Sequence, residues 1–295
     1  MNRSGTRPGL GDYLSLVKFS HSVFALPFAI ISLLLATHGK PGGLLIVQVV
    51  LAAVTARTAA MAFNRFVDRR IDAQNPRTAV REIPTGRVRP VQALGLTVLA
   101  SAAFVAIAWW IHPLCAWLSP VVLVVLLGYS YTKRFTWACH LVLGLALGLA
   151  PLGAWIAALG SFEGILGIPL LLALAVLTWV AGFDVIYSCQ DEGFDKGLGL
   201  HSIPERLGIA GALRVSALLH VLTLAFLVGV GIRAELSWFW WLGVFAAALL
   251  LIHEHRIVKP TDLSRVNAAF FTLNGILSLL LAALLGMDIW ILGAG

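Results

Sequence analysis

Charge is concentrated in one stretch of an otherwise apolar chain. Residues 62–88 read AFNRFVDRRIDAQNPRTAVREIPTGRV, with six arginines and three acidic residues directly after a long apolar segment. The whole chain of 295 residues is 59% hydrophobic and only 12% charged, whereas soluble domains are about 25% charged. An ordinary soluble domain is therefore excluded, and the sequence predicts an integral membrane protein.

Apolar stretches of about 20 residues, long enough to cross the hydrocarbon as a helix, recur along the chain. Because backbone groups in lipid must satisfy their own hydrogen bonds, these stretches predict an all-α, polytopic membrane helical bundle. We expect about nine transmembrane helices, at residues 20–37, 44–66, 91–111, 114–131, 139–159, 168–190, 211–232, 236–253 and 266–287.

No linker divides the chain, so we expect an N-terminal tail at residues 1–19 and one transmembrane domain at 20–295. Acidic groups end the second and sixth expected helices, and basic segments follow the fourth and eighth. This repetition favours two four-helix halves plus a ninth helix.

The basic residues predict the orientation. All Lys and Arg except Lys40, Arg57 and Arg233 lie in the tail, or in or beside the loops after the second, fourth, sixth and eighth helices. By the positive-inside rule, the N-terminus and these loops are cytoplasmic, and the protein is expected in the cytoplasmic membrane. The net charge of +7 mainly reflects this bias, and its spread does not favour nucleic-acid binding. No obligate protein partner is indicated.

Two groups of acidic side chains lie at the ends of the second and sixth expected helices. Asn64, Asp68 and Asp72 are spaced i, i+4, i+8, so a continuous helix places them on one face, with successive groups about 6 Å apart. The second group, in DVIYSCQDEGFD, begins at Asp184 and includes Asp191, two helical turns further on the same face. Asp195, in this second group, extends the strip if the helix continues through Gly193, and Tyr187 lies between the first two acids.

Acidic side chains inside a membrane are costly and normally face the protein interior or a water-filled cavity. Oxygen ligands without His or Cys suit Mg²⁺, which takes a few carboxylates and completes its shell with water and phosphate oxygens. Basic residues on the same side would balance a diphosphate: Arg69, Arg70, Arg77, Arg81, Arg87, Arg89, Lys133, Arg134 and Lys196. Interfacial salt bridges combined with a topology signal are the alternative interpretation of this charge.

The segments NRFVDRRID and DVIYSCQDEGFD resemble the N-x-x-x-D-x-x-x-D and D-x-x-Y-x-x-x-D-x-x-x-D motifs of the UbiA superfamily of intramembrane aromatic prenyltransferases. The resemblance implies that one Mg²⁺ is held by Asn64, Asp68 and Asp72. It also implies that the second motif serves a second metal or the aromatic substrate. The expected magnesium ligands there are Asp191 and Asp195, and Asp184 or Asp191 is the expected acceptor of the substrate's proton.

The resemblance also suggests which bases contact the diphosphate. VREIPTGRV keeps the family's arginine as Arg81 but has Glu82 where proline is usual, and YTKRFTW resembles the basic segment after the fourth helix. We therefore expect diphosphate contacts from Arg81, Lys133, Arg134 and Lys196. Tyr187 and Arg57 are expected to orient a substrate. Simple packing remains open for Tyr187, and a counter-charge to the acids or a lipid-head-group contact remains open for Arg57.

The function implied is magnesium-dependent transfer of a polyprenyl group from an allylic diphosphate to a hydroxylated aromatic acid. A 4-hydroxybenzoate polyprenyltransferase of ubiquinone biosynthesis is the first expectation, and an enzyme of the futalosine route to menaquinone or one with another acceptor is the alternative. A cation-coupled transporter is the alternative from a different class. The isoprenoid would need an apolar cavity. Two roles stay open for Phe24, Phe28, Phe63, Phe66 and Phe183: lining of this cavity, and ordinary packing, which is the commoner role of an aromatic residue on a membrane helix. Gly144 and Gly148 predict close helix packing.

Overall fold

The computed structural model describes residues 8–18 and 24–293, and within them it is a bundle of helices with no sheet. The helices are α1 (Leu10–Leu16), α2 (Leu26–Ala36), α3 (Gly43–Gln74), α4 (Pro90–Ile111), α5 (Pro113–Thr132), α6 (Cys139–Leu159), α7 (Ile168–Ser188), α8 (Glu192–Leu198), α9 (Ile203–Arg233), α10 (Trp238–Ile257) and α11 (Asn274–Leu292). A 3₁₀ turn, Cys189–Asp191, joins α7 to α8, and a π-helical turn, Ala268–Leu273, leads into α11.

Eight helical segments of the described chain are long and apolar enough to cross a membrane, and α2, with 11 residues, is a shorter apolar helix. Large apolar side chains cover the outside of the bundle; Leu99, Val124 and Phe245 are 71%, 72% and 61% exposed. Such a surface suits lipid rather than water. The prediction of an all-α membrane bundle with about nine helices is confirmed.

Helix ends differ from expectation where the sequence becomes polar. The second expected helix, 44–66, continues to Gln74, and the seventh, 211–232, begins at Ile203, with a break at Gly208, whose φ is +66°. The first expected helix, 20–37, corresponds to α2, although residues 19–23 lie outside the described range. Two short helices, α1 and α8, were not predicted, because neither carries a span-length apolar run.

The second acidic strip is not on one continuous α-helix, so that expectation is wrong. α7 ends at Ser188, and Asp191 closes the 3₁₀ turn before α8 begins. The break lies where Asp191 is held from outside the helix by Asn75 and Arg77 of the α3–α4 loop. The first strip, in contrast, lies within the unbroken α3, as expected.

The helices pack in the same order in both halves. α3 packs on α4, and α4 on α5; likewise α7 packs on α9, and α9 on α10. α11, the helix that remains outside the two four-helix halves, contacts both α10 and α2. α6 and α7 approach closely at Gly144 and Gly148, where an added Cβ would lie 2.2 and 2.8 Å from backbone oxygens of α7. The expected close approach is therefore confirmed.

Candidate active site

The acidic and basic residues singled out above gather at one end of the bundle. α3, α5 and α7 end there, and α4, α6 and α9 begin there. Ion pairs and hydrogen bonds connect residues on α3, the α3–α4 loop, the end of α5, and α7–α8. These direct contacts place both motifs at the same end of the bundle, as expected.

The first two polar residues of the α3 strip are bonded to each other. Asn64 donates its Nδ2–H to Asp68 Oδ2 over 2.9 Å. Arg134, which follows α5, donates to Asp68 Oδ1 and to the backbone oxygen of Val67, both over 3.0 Å. Asp68 thus accepts from an amide and a guanidinium, and it is positioned between α3 and α5.

Asp72, the third residue of the strip, is buried and pairs with Arg81 of the α3–α4 loop over 2.7 Å. Its Oδ2 is buried without a hydrogen-bond partner in the described structure. The loop itself is packed rather than solvated, since Thr78, Glu82 and Val88 are all buried.

The loop is also fastened to α1. Glu82, which replaces the usual proline, accepts a hydrogen bond from Ser15 of α1. The side chain of Leu16 is completely buried in the cluster that also contains Val88. Glu82 therefore connects the N-terminal helix to the loop that carries Arg81.

Asp191 is held from the same loop. Arg77 forms a two-point ion pair with it, the Nε contact being 3.0 Å, and Asn75 donates to it over 2.9 Å. Arg77 also donates to the hydroxyl of Tyr187 over 2.7 Å. Burial opposes the charge of Arg77, but the hydrogen bonds and charge of Asp191 and Tyr187 outweigh it and raise the pKa of Arg77 above its ordinary value. Arg77 therefore stays charged, and Tyr187 is a hydrogen-bond partner as well as a packing residue.

Asp195, on α8, is fully buried and pairs with Lys133 over 2.7 Å, while Ser202 donates to its other oxygen over 3.1 Å. The adjacent Lys196 is exposed, and its side chain forms no ion pair or hydrogen bond with the part of the chain that the structure describes. Of the four bases expected to contact a diphosphate, Arg81, Lys133 and Arg134 are therefore brought to the acids, and Lys196 is not.

Asp184 differs from the other acids because its partner is a histidine. His140, on α6, places Nδ1 2.6 Å from Asp184 Oδ2, and its Nε2 accepts the backbone N–H of Ile203 over 3.4 Å. Nδ1 therefore donates to Asp184. The partner of Asp184 is thus an imidazole, whereas the other acids of the site pair with Arg or Lys.

Sequence reasoning missed three residues of this arrangement and ranked a fourth too low. His140, Asn75 and Ser202 were not predicted, and Arg77 appeared only within the general group of basic residues. The available signal for His140 was an ionisable residue inside an apolar membrane helix, which marks functional positions. Asn75 and Ser202 follow no recognisable spacing, since loop geometry brings them to the acids.

The donor chemistry of the site fits a hard divalent cation. Among the described residues, no three His, Cys, Asp or Glu side chains form a ready cluster, because each carboxylate is paired with its own base. Carboxylate and amide oxygens nevertheless predominate, and the unpartnered Oδ2 of Asp72 is an available ligand atom. These are the oxygen ligands that Mg²⁺ prefers.

An apolar cavity of about 400 Å³ lies among α2 to α6. Its lining includes Met61, Tyr129 and Leu143, which lie about one helical turn along the chain from Asn64, Lys133 and His140, respectively. None of the five phenylalanines considered as lining residues lines this cavity, so ordinary packing, the commoner role, is the one observed. Phe24, Phe28 and Phe183 pack instead around Trp179 in the core. Phe63 contacts Tyr131, and Phe66 lies under Arg69.

Arg57 lines this cavity, and it forms no ion pair with an acidic side chain of the described residues. The acids of the α3 strip pair with Arg134 and Arg81 instead. The interpretation of Arg57 as their counter-charge is therefore wrong.

Comparison with known proteins identifies the family. The model of the UbiA prenyltransferase family matches residues 25–276. The chain belongs to this family. Among curated proteins, it is 30% identical over 255 residues to the 4-hydroxybenzoate octaprenyltransferase of Alcanivorax borkumensis, covering 85% of this chain and 87% of the relative. The corresponding protein of Vibrio vulnificus is 28% identical over 259 residues, with 88% and 89% covered.

Solved structures share the fold. The apo structure of a UbiA homolog from Aeropyrum pernix K1 superposes with a TM-score of 0.83 at 35% identity, covering 91% of this chain and 98% of the homolog. A UbiA homolog from Archaeoglobus fulgidus bound to DMAPP and Mg²⁺ gives a TM-score of 0.74 at 19% identity, with 94% and 99% covered. This UbiA-family chain is thus a multi-pass membrane prenyltransferase, and the transporter alternative is not supported.

Proposed function

We propose that the protein transfers a polyprenyl group from an allylic diphosphate to a ring carbon of a hydroxylated aromatic acid, with Mg²⁺ as cofactor. The acceptor that we propose first is 4-hydroxybenzoate, in ubiquinone biosynthesis. The observation that carries the proposal is a set of four carboxylate–base pairs at the end of a bundle whose helices α3 and α5 also line an apolar cavity. The names of the curated relatives support the acceptor, and the DMAPP and Mg²⁺ bound to the Archaeoglobus protein support the donor and the metal.

In this proposal Asn64, Asp68 and Asp72, together with Asp191 and Asp195, hold magnesium. The metal would stabilise the charge that develops on the leaving diphosphate. The carboxylates are now occupied by Arg134, Arg81, Arg77 and Lys133. If the carboxylates bound the metal, their ion pairs with these four bases would break. The bases would then be free to donate hydrogen bonds to the diphosphate oxygens.

The apolar cavity would hold the isoprenoid chain. Met61 and Tyr129, which line it, lie about one helical turn from Asn64 and Lys133, so a chain in the cavity would have its diphosphate at the acids. Apolar walls also keep water away from the allylic cation, which would otherwise be captured as an alcohol.

We assign proton acceptance to Asp184 rather than Asp191. Asp191 is bonded twice to a guanidinium and once to an amide, so its charge is already neutralised. Asp184 pairs with His140 through one oxygen, and its side chain is 22% exposed. A partly exposed carboxylate with a second oxygen left free is the better base for the proton lost by the acceptor.

We also propose that this end of the bundle faces the cytoplasm. The bases of the site are part of the predicted positive-inside bias. The water-soluble aromatic acid would reach the site from that side, and the released diphosphate would leave to it.

The test is prenyl transfer by membranes that contain the protein. Membranes are incubated with radiolabelled polyprenyl diphosphate and a panel of aromatic acids that includes 4-hydroxybenzoate and hydroxynaphthoates, and lipid-soluble product is counted. Asp68→Ala and Asp191→Ala should abolish transfer, as should a magnesium chelator. The matched control is Asp262→Ala, because Asp262 is exposed in the α10–α11 connection and bonds only to its own turn.

The outcomes separate the alternatives. Transfer to hydroxynaphthoates but not 4-hydroxybenzoate would replace the first acceptor by one of the menaquinone type. Full activity of Asp68→Ala, or activity that survives chelation, would refute the mechanism.

A further inference from the structure

The π-helical turn before α11, Ala268–Leu273, packs against the tyrosine of the second acidic motif. Phe270, within this turn, lies on the ring of Tyr187 of α7, with ring centroids 4.3 Å apart and planes tilted by 37°. Phe271 contacts the same ring edge-on, with centroids 6.4 Å apart. The π-helical turn therefore fixes the surroundings of the Tyr187 ring.

The side chain of Asn274, the first residue of α11, holds the π-helical turn. Asn274 is completely buried, and its Nδ2 donates to the backbone oxygens of Ala269 over 3.0 Å and of Phe270 over 3.3 Å. Nδ2 also lies 3.3 Å from Glu254 Oε1 of α10, and Oδ1 accepts from Trp179 Nε1 of α7 over 2.6 Å. One buried amide thus connects α7 and α10 to the turn that carries Phe270.

The shape of the turn decides where Phe270 points. A π-helical turn contains more residues than an α-helical turn, and such turns occur frequently at functional sites. If the turn closed to α-helical geometry, the chain within and before it would rotate about the helix axis by up to about 100° relative to α11, the step of one residue. The ring of Phe270 would then lose its present contact with Tyr187.

Tyr187 in turn holds Arg77. The Nε and Nη2 atoms of Arg77 bond to Asp191, whereas Nη1 donates to the Tyr187 hydroxyl over 2.7 Å. The guanidinium carbon also lies 4.9 Å from the centre of the Tyr187 ring. If Asp191 bound a metal ion, Tyr187 would still hold Arg77, and the fork formed by Nε and Nη2 would be free for an anion. The Arg77 side chain is 29% exposed, so a ligand can reach this fork.

We propose that Asn274 and Phe270 are positioning residues for the prenyl diphosphate. Asn274 maintains the turn, Phe270 fixes the ring of Tyr187, and Tyr187 presents the fork of Arg77 to the diphosphate. This inference rests on the proposed function, since it takes the ligand at Arg77 to be a diphosphate. Because donors that are placed before binding reduce the cost of ordering, loss of this arrangement should weaken binding of the diphosphate and not of the aromatic acid.

The test is a set of double-mutant cycles on donor binding. Purified protein in lipid nanodiscs is titrated with geranyl thiolodiphosphate, an analogue that resists ionisation, in the presence of Mg²⁺, and calorimetry gives the Kd. Tyr187→Phe removes the acceptor of Arg77 and should raise the Kd about tenfold, the lower range for a hydrogen bond to a charged group. Phe270→Leu and Asn274→Ala should each raise it about three- to tenfold. In the Tyr187→Phe background, either change should add less than about twofold, because both act through the Tyr187 hydroxyl.

Asn267→Ala is the matched control, because Asn267 precedes the same turn but is exposed. It should leave the Kd unchanged, and in all these variants the KM of the aromatic acid should stay within about twofold of wild type. An unchanged Kd for Tyr187→Phe, additive losses in the cycles, or equal losses for donor and acceptor would overturn the inference. If Asn274→Ala does not fold, the cycle with Phe270→Leu decides. The titration needs no acceptor, so a protein that binds the analogue but prenylates no aromatic acid refutes the proposed function alone.

Discussion

At the level of single residues, the contact between His140 and Asp184 is the basis for proton transfer in the proposed mechanism, in which Asp184 accepts the proton of the acceptor. The Ile203 N–H occupies Nε2 of His140, so Nδ1 donates to Asp184 and leaves the other carboxylate oxygen available as a base. We expect His140→Ala to lower kcat for prenyl transfer about 100-fold, the lower range of general-base contributions. The KM of the prenyl diphosphate should not change. Steady-state kinetics measure both values.

A further measurement separates chemistry from a folding defect. When the base is weakened, removal of the ring proton becomes the slow step, so a ring-deuterated acceptor should react more slowly than the protiated one. Asp184→Asn should show the same isotope effect. Asp191→Asn should raise the KM of the prenyl diphosphate instead, because Asp191 positions Arg77. A His140→Ala variant with weakened diphosphate binding and no isotope effect would contradict this assignment.

The sequence predicts the acids of the site better than their partners. Asn64, Asp68 and Asp72 share a face because helix periodicity is local information. Their partners Arg81 and Arg134 come from other segments, and so does His140, the partner of Asp184. Which base meets which acid depends on how the helices pack, and no spacing in the chain records it.

At the scale of helices, the contact between α6 and α7 sets the geometry of the site. A Cβ at Gly144 would lie 2.2 Å from the backbone oxygen of Leu177, an atom that cannot move aside as a side chain does. We expect Gly144→Val to force the helices apart and to destabilise the protein by about 1–3 kcal/mol, the usual cost of overpacking. Thermal unfolding in detergent measures the loss.

Activity should fall with stability in this variant, since His140 lies one turn from Gly144 and its bond to Asp184 spans the same pair of helices. Gly95→Val is the control, because Gly95 lies on the exposed face of α4 with nothing within 4 Å of an added Cβ. A midpoint for Gly144→Val as high as that of Gly95→Val would show that the close approach is dispensable.

Helix existence was predictable from apolar length, whereas helix ends were not. Hydropathy ends the second expected helix near residue 66, but α3 continues through its polar end, where the acids and arginines bond to other elements. The 3₁₀ turn at Asp191 and the helix at Leu10–Leu16 depend on tertiary contacts of the α3–α4 loop. These features lie beyond what apolar periodicity records.

For the whole molecule, the relation between site and cavity predicts control over isoprenoid length. The cavity extends from Tyr129 and Met61, near the acids, to Ile111 and Phe162, at the opposite end of the bundle. A diphosphate fixed at the acids directs its chain along this path, so the depth of the cavity limits the length of chain that fits. Long chains should therefore be sensitive to a block midway, and short chains should not.

Ala53 lines the cavity one helical turn beyond Arg57, on the side away from the acids. We expect Ala53→Phe to retain transfer from geranyl diphosphate and to reduce transfer from a polyprenyl diphosphate at least about tenfold, because the added ring would occupy the part of the cavity that only a long chain reaches. Competition between the two donors in one reaction, with products separated by chain length, measures the change. Ala102→Phe adds the same ring to the exposed face of α4 and should leave the ratio at the wild-type value. If Ala53→Phe leaves that ratio unchanged, the isoprenoid chain does not pass Ala53, and the depth of this cavity does not limit the chain length.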